Sequence, residues 1–252
     1  MEVDAFGQVA GPAVAVIGAW DPVLPVHEEL FACLVDCARE RSMSSLVVVL
    51  DPNPVLFVQG RPNWPVYNDT RWRTHFILQA GVDGVLRLRC SERILEAGVE
   101  DLMDQVLSHA QITELWLGAS QTLGRRESGN FATTARVMSE HGITVKRLAP
   151  STDAYTGSHA RRFIQAGHLT RAIDLVGRPP CWSAPAHRRA ELAWCPGMYR
   201  AHVLADFDHR VVDEPLAIEL QPEDGGMASF PWPENVAHLQ FLSGPSDPEN
   251  AG

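Results

Sequence analysis

The alternation of short β-branched runs with helical segments over the first 148 residues most constrains what this chain can fold into. Five runs predict strands, namely AVAVIG (13–18), SLVVVLD (45–51), GVLRL (84–88), ITELWLG (112–118) and ITVKRL (143–148). Helical periodicity at 27–41, 70–80, 99–109 and 131–141 separates them, and Gly81 and Gly142 stand where two of these helices end. The pattern predicts an α/β fold with a doubly wound, five-stranded parallel sheet of Rossmann-like type. Ligands of such sheets bind at the carboxyl ends of the strands.

A change of character at GRPP (177–180) predicts a domain boundary. Residues 1–180 are expected to form the α/β domain. The following sequence is rich in proline and tryptophan, with candidate strands at 199–204 and 215–220, so residues 181–243 are expected to form a small β-type appendage. The last residues, GPSDPENAG (244–252), are expected to form a disordered tail.

The composition of the chain limits the classes of partner that it is expected to bind. A formal net charge of −10 argues against a nucleic-acid partner, because proteins that bind nucleic acid usually carry a basic stripe. A mononucleotide stays compatible, since a few local cations suffice for it. The chain has no apolar run near the roughly 18 residues of a membrane span, and its start, MEVDAFG, lacks signal-peptide features. We expect a cytoplasmic protein without a membrane partner, and the oligomeric state is left open.

The cysteines indicate reduced thiols. Five cysteines are an odd number in a chain too large to depend on disulfides. Cys33 and Cys37 lie four residues apart on a predicted helix, where core packing is favoured over half of a metal site because no histidine pair accompanies them. No metal-ligating residue is predicted.

The segment GAWDPVLPVH (18–27), directly after the first predicted strand, carries the strongest functional signal. It resembles the G-N-F-D-G-V-H-x-G-H turn of bacterial FAD synthetases, in the FMN adenylyltransferase domain of the HIGH-type nucleotidyltransferases. Four positions agree with that turn, namely Gly18, Asp21, Val23 and His27. Trp20 keeps an aromatic ring in the phenylalanine position. Other positions depart from it: Ala19 replaces asparagine, Leu24 replaces the first histidine, and Val26 replaces the glycine between the histidines.

Three later segments extend this resemblance over about residues 12–180. DPNP (51–54) resembles the family's acidic-Pro-His-Pro turn, with Asn53 in place of histidine. GASQTLGRRESGN (118–130) resembles its G-x-D-F-x-F-G-x-x-x-x-G-D loop, with Ser120 and Asn130 in place of the aspartates. TGSHAR (156–161) resembles S-S-T-x-I-R, and the sequence up to Pro180 is similar to a helix pair that ends in L-G-R-P.

The resemblance implies adenylyl transfer, in which a phosphate oxygen of FMN or a related acceptor attacks the α-phosphorus of ATP, with Mg²⁺ as cofactor. Such a reaction depends on positioning and charge neutralisation. A glycine turn lets backbone N–H groups approach phosphate, His27 would donate to the same oxygens, and Arg161 would clamp the β- and γ-phosphates. The implied nucleotide-binding residues are Gly18, Asp21, Gly118, Ser158 and Arg161, and the implied acceptor-binding residues are Asn53 and Arg125.

Each of these residues also has a structural interpretation. His27 and Arg161 stand near predicted helix starts, where histidine and arginine often lie in solvent. Asp21 would shape or cap the turn. Arg125 and Arg126 would lie on the surface of a glycine-containing loop, and Trp20 and Trp116 are expected in the core.

The departures leave three hypotheses open. Leu24 removes one phosphate donor, Pro25 removes an N–H group, and Val26 crowds the turn. The first hypothesis is an FAD synthetase-like nucleotidyltransferase. The second is a catalytically silent homologue that binds a flavin, a nucleotide or a partner protein. The third is an enzyme for another reaction in the same cleft. The flavokinase turn P-T-x-N of bifunctional relatives is absent after Pro180, so the appendage is expected to be a reduced remnant of that domain.

Overall fold

The computed structural model describes residues 3–9, 11–57, 64–118, 121–123, 129–149, 156–211, 213–224 and 227–248. The chain divides into two compact units. The first unit comprises Met1–Trp20, Val26–Arg61 and Phe76–Thr152, and the second comprises Asp21–Pro25, Pro62–His75 and Asp153–Gly252. Gly18 and Asp21, which belong to one sequence motif, therefore fall in different units.

The first unit is built on one mostly parallel sheet. Its strands are β1 (Val3–Gly7), β2 (Ala13–Gly18), β3 (Ser44–Asp51), β4 (Gly84–Arg89), β5 (Ile112–Leu117) and β6 (Thr144–Arg147), in the order β1-β4-β3-β2-β5-β6. The helices that separate them are α1 (Pro25–Glu40), α2 (Thr70–Gln79), α3 (Glu92–Glu96), α4 (Val99–Leu107) and α5 (Phe131–Glu140). This arrangement agrees with the predicted Rossmann-like α/β architecture. Helices α1 and α2 each contain residues of both units.

The predicted number of five strands is corrected to six by β1. The strands β2 to β6 pair in parallel, whereas β1 pairs antiparallel with β4, from Val3 opposite Leu88 to Gly7 opposite Gly84. Its sequence, VDAFG, gave little signal because an exposed edge strand buries no continuous apolar face and contains aspartate and glycine, which are poor strand formers.

An aliphatic core supports this sheet. Alternate residues of the strands, including Ala15, Ile17 and Val48, pack with α4 residues such as Met103 and with α5 residues such as Met138. Such alternation follows from the period of two in a β-strand. The result is a rigid base from which the carboxyl ends of β2, β3 and β5 project.

Two helix ends in the first unit follow the predicted glycine signals. Gly81 follows α2 with φ of 88°, and Gly142 follows α5 with φ of 73°, a conformation that residues with a side chain rarely adopt. Helix α5 begins after Asn130, whose side-chain oxygen accepts a hydrogen bond of 3.0 Å from the Thr133 amide. Asn130 is thus an N-cap.

The second unit contains α6 (Thr156–Gln165), α7 (Leu169–Val176) and an antiparallel sheet. Its strands are β7 (Cys181–Ser183), β8 (Arg189–Leu192), β9 (Gly197–Leu204), β10 (Leu216–Glu223), β11 (Met227–Pro231) and β12 (His238–Ser243), in the order β7-β12-β9-β10-β11-β8. Its core is aromatic, with Trp194 packed 5.1 Å from Phe241 and 5.7 Å from Tyr199 between ring centroids.

Two features of the structure bear on the predicted domain boundary and the predicted tail. Helices α6 and α7, which precede the predicted boundary at residue 180, group with the C-terminal sheet. Asp247, within the predicted tail, is buried, and its carboxylate accepts hydrogen bonds from the amides of Gly244 and Thr170. Residues 249–252 lie outside the described part of the chain. Among the described residues, none of the helices has the length and apolarity to cross a membrane.

Candidate functional site

The order of the first sheet defines where a ligand would bind. From β2 the chain builds outward through β3 and β4, and then returns to the other side of β2 with β5 and β6. The switch point of the sheet therefore lies between β2 and β5, and crevices at switch points are the usual binding sites of open α/β sheets. Val16 pairs with Trp116, so Gly18 and Gly118, each two residues further on, stand at adjacent strand ends. We call Ile17, Gly18, Trp20, Gly118 and Gln121 the Gly18 crevice.

The indole of Trp20 covers Gly18. A methyl group at Gly18 would lie 2.9 Å from two carbons of that ring, which is closer than real contacts allow. Trp20 itself has φ of 52°, and its indole N–H donates a 3.0 Å hydrogen bond to the Val48 carbonyl in β3. Glycine at position 18 is thus required by the chain's own tryptophan, and Trp20 is buried as predicted.

His27 lies against the same tryptophan. It is the third residue of α1, partly buried, and its ring meets the Trp20 ring edge-on at 5.2 Å between centroids. Phe31, one turn later, packs on Trp20 at 5.1 Å. The orientation of His27 is therefore restricted by an aromatic neighbour, which is useful for a group that must donate to a fixed point.

Gln121 was missed by the sequence analysis and is central to the crevice. Its side-chain N–H donates a 2.8 Å hydrogen bond to the Ile17 carbonyl, and its side-chain oxygen accepts a 3.1 Å bond from the Gly118 amide. One carboxamide thus joins the ends of β2 and β5. The sequence carries no local signal for this role, because both partners of the side chain are set by the strand order.

The residues implied for acceptor binding are only partly described. Asn53 follows β3 and is partly buried, and its carbonyl accepts a 3.0 Å hydrogen bond from Leu56 at the start of a short 3-10 turn. It therefore stands after the carboxyl end of the strand next to β2. Arg125, Arg126 and Ser120 lie outside the described residues.

In the second unit, Asp21 organises a separate group of residues. Its buried carboxylate accepts hydrogen bonds from the amides of Tyr67, at 3.0 and 3.2 Å, and Asn68, at 3.0 Å. Burial raises the pKa of Asp21, while the charges of Arg73 and Arg161 and the two amides oppose that rise. The carboxylate thus holds residues 67 and 68, which is a structural role other than capping its own turn. Together with Trp64, Tyr67, Asn68 and Arg161 it forms what we call the Asp21 cluster.

Arg161 belongs to this cluster. It lies in the second turn of α6, one turn later than expected, because the helix begins at Thr156. One of its N–H groups donates to the Asp21 carbonyl, and its guanidinium lies 5.0 Å from the centre of the Trp64 ring. Burial lowers the pKa of Arg161 and Asp21 opposes that shift, so the group stays charged. Its buried Nε has no hydrogen-bond partner among the described residues.

Two small residues, Gly157 and Ser158, lie at the start of α6. A methyl group at Gly157 would lie 3.3 Å from Pro22 and 3.5 Å from the Arg161 guanidinium. Ser158 stands next to it in the first turn and is partly buried. The predicted residues Asp21, Ser158 and Arg161 are thus in one unit, and Gly18, His27, Asn53 and Gly118 are in the other.

The cluster also contains residues that the sequence analysis did not select. The Asn68 side-chain oxygen accepts a 2.7 Å hydrogen bond from the Cys181 amide, and its side-chain N–H₂ has no partner among the described residues. The Tyr67 hydroxyl donates a 2.7 Å bond to the Arg178 carbonyl, and burial raises its pKa. The described residues contain no group of three or more His, Cys, Asp or Glu side chains that could hold a metal ion.

Comparison with known families identifies the family of this chain. Residues 7–158, more than half of the chain, match the family described as FAD synthetase. The chain belongs to the FAD synthetase family. Membership supports nucleotidyltransferase-like chemistry.

Relatives with curated functions are distant. The bifunctional riboflavin kinase/FMN adenylyltransferases of Escherichia coli (strain K12) and Shigella flexneri are each 22% identical over 171 residues, covering 66% of this chain and 54% of theirs. The chain thus spans about half the length of the curated relatives it matches. A solved structure described as a macrolide-efflux protein from Streptococcus pneumoniae has a TM-score of 0.62 at 16% identity, covering 94% of this chain and 86% of that one. That likeness concerns the fold alone.

The family's turn is altered where the structure is most closed. Leu24, which stands where the resemblance implies the first histidine, is only 4% exposed. Val26 is partly buried at the start of α1. The departures seen in the sequence are therefore accommodated by packing.

Proposed function

We propose that the protein transfers AMP from ATP to FMN or a related phosphorylated acceptor. A phosphate oxygen of the acceptor attacks the α-phosphorus of ATP, the bond from that phosphorus to the bridging oxygen breaks, and pyrophosphate leaves. No covalent enzyme intermediate is needed, so the protein's role is to align the two substrates and neutralise charge.

The observation that carries this proposal is the placement of His27 and the two glycines at the switch point. Gly18 and Gly118 end the adjacent strands β2 and β5, and His27 lies in the first turn of the helix that follows Gly18. Backbone N–H groups at such a helix start, and the histidine ring, are suited to bind phosphate oxygens. Asn53, after β3, and Arg125 are the proposed acceptor-binding residues.

Arg161 is the second proposed phosphate-binding residue. Its charge is retained, and a guanidinium can bind phosphate oxygens through more than one N–H group. Ser158, in the first turn of the same helix, and Asp21, whose carbonyl accepts a hydrogen bond from Arg161, are the other proposed nucleotide-binding residues of this unit. Mg²⁺ would be held mainly by the substrate phosphates, as is usual for this ion.

The test is a direct assay of AMP transfer. Purified protein is incubated with ATP, Mg²⁺ and FMN, and both pyrophosphate and FAD are followed. We expect His27→Ala to lower the rate of FAD formation by about a hundred- to a thousandfold, the typical loss for one preorganised donor. His187→Ala, which changes an exposed histidine, is the matched control and should leave the rate unchanged. Equal rates for parent and His27→Ala would contradict the assignment of His27.

A second candidate function follows from the side chains that fill the turn of residues 18–27. The Trp20 ring covers Gly18 and Leu24 is buried, which favours a homologue that binds a nucleotide, a flavin or a partner without transferring AMP. Binding of ATP or FMN without release of pyrophosphate in the same assay would favour this alternative.

We also propose that β7 to β12 form a reduced flavokinase domain. The P-T-x-N turn that the resemblance implies for a flavokinase is absent from residues 181–252. The purified protein is therefore expected to form no FMN from riboflavin and ATP, measured by chromatography of the flavin products. FMN formation that a substitution beyond residue 180 abolishes would overturn this proposal.

A further inference from the structure

Gln121 places an amide group in the crevice between the ends of β2 and β5. Its N–H donates to Ile17 and its oxygen accepts from Gly118, so the backbone at this point offers one acceptor beside one donor. These two backbone groups lie beyond the last residues that pair between β2 and β5, while Ile17 still pairs with Val48 of β3. Gln121 is therefore the hydrogen-bond partner that joins them at the edge facing β5.

The chemical pattern of the carboxamide is that of a heterocycle edge. Adenine presents an N6 amino donor beside a ring-nitrogen acceptor, the same pair that a glutamine side chain presents. The pyrimidine-like edge of a flavin ring also places an N–H donor beside a carbonyl acceptor. Both classes of ligand could therefore make the two hydrogen bonds that Gln121 makes.

We propose that Gln121 is an internal competitor that occupies, in the free protein, the base-recognition point formed by the Ile17 carbonyl and the Gly118 amide. A ligand with an amide-like edge binds there by displacing the Gln121 side chain. This inference rests on the proposed ligand crevice but not on AMP transfer. Its consequence is a lowered apparent affinity, since the binding-competent state is only the fraction with Gln121 displaced.

Two variants test the competition. Gln121→Ala removes the side chain beyond its Cβ, and Gln121→Met keeps its approximate length while removing both hydrogen-bonding groups. We expect each variant to bind adenosine or riboflavin about tenfold more tightly than the parent, because two internal hydrogen bonds of ordinary strength no longer compete. Calorimetric titration of the full chain, with circular dichroism to check folding, measures this.

Binding of adenosine and of riboflavin, compared in the two variants, shows whether the site recognises an adenine or a flavin ring. Tighter binding of adenosine alone assigns the point to the adenine of a nucleotide, and tighter binding of riboflavin alone assigns it to the flavin. N6,N6-dimethyladenosine lacks the N–H donor and should gain nothing from either variant. Unchanged or weaker binding of both adenosine and riboflavin by the folded variants would overturn the proposal, as would an equal gain for the dimethylated nucleoside.

The parent protein supplies a second measurement that needs no variant. The side-chain amide resonances of Gln121 should shift when adenosine or riboflavin is added to saturation, because the side chain loses its backbone partners. Resonances that stay unchanged at saturation would overturn displacement. Tighter nucleoside binding without any FAD formation would support the role of Gln121 and reject AMP transfer, whereas FAD formation with unaltered binding would do the reverse.

Discussion

The Gly18 crevice and the Asp21 cluster each contain a residue of the same sequence motif, yet their polar groups are paired differently. In the crevice, the backbone of Ile17 and Gly118 is paired with Gln121, and the face of Gly18 is filled by Trp20. In the cluster, a buried carboxylate is paired with amides while donors on Asn68 and Arg161 lack partners among the described residues. The first region depends on shape and the second on charge.

The largest effect is expected from removing the charge at the centre of the cluster. Asp21→Ala leaves the amides of Tyr67 and Asn68 without their acceptor and Arg73 and Arg161 without the carboxylate that faces them. Breaking a buried ionic group in this way typically costs about 3–5 kcal/mol. We expect the free energy of unfolding, measured in urea, to fall by that amount.

A matched control separates this effect from the loss of any aspartate. The side chain of Asp36, on α1, is 72% exposed, so Asp36→Ala should change the free energy of unfolding by no more than about 0.5 kcal/mol. If Asp21→Ala were as mild as the control, Asp21 would not hold the cluster, and a direct role near the ligand would become the better interpretation.

A smaller effect is expected from adding one methyl group in the crevice. In Gly18→Ala the new carbon would lie 2.9 Å from the Trp20 ring, and such overpacking costs about 1–3 kcal/mol. Gly118→Ala is the control at the adjacent strand end, since its new carbon would meet Gln121 at an ordinary 3.5 Å.

The double variant decides which neighbour requires glycine at position 18. If the Trp20 ring is the cause, Gly18→Ala should cost clearly less in a Trp20→Ala background, a non-additivity that a double-mutant cycle in urea measures. Strictly additive costs would show that the ring is not what excludes a side chain, and the sensitivity of this region to shape would need another explanation.

Much of the first unit was predictable because its strands are buried on both faces. Near-continuous apolar runs such as that of β2 mark such strands directly, and a glycine with positive φ, such as Gly142, marks a helix end. The edge strand β1 was not predictable, because an exposed strand has no apolar pattern to detect. The packing of α6 and α7 in the second unit depends on contacts such as that of Asp247 with Thr170, which join residues far apart in sequence.

The site was predictable in position but not in detail. The location of Gly18 and Gly118 at adjacent strand ends follows from strand order. The role of Gln121 does not, because a glutamine in a loop carries no local signal and acquires its role only from two strands distant in sequence. Asp21 shows the same limit, since its partners Tyr67 and Asn68 lie more than forty positions away along the chain.

The smallest expected effect concerns histidines of the second unit. Burial lowers the pKa values of His75, His202 and His238. Asp208 opposes the shift of His75, whose ring stacks on Phe207 at 4.4 Å between centroids.

The other two histidines have charged neighbours of both signs. Asp69 and Asp206 oppose the lowered pKa of His238, while Arg71 and His75 add to it. Arg210 adds to the lowered pKa of His202, and Asp213 opposes it.

These shifts predict the sign of the pH dependence. An unfolded histidine takes up its proton near pH 6.5, whereas these folded ones do so at lower pH, so the unfolded state binds more protons in between. The free energy of unfolding is therefore highest above about pH 7. It falls as the pH drops below about 6.5, by at most about 1.4 kcal/mol per pH unit for each histidine.

Urea unfolding at several pH values between 5 and 8 measures this slope. His75→Gln and His238→Gln should each flatten it, whereas His187→Gln, at an exposed position, should not. A slope that both variants leave intact would place the acid sensitivity outside His75 and His238, with His202 as the remaining histidine of lowered pKa.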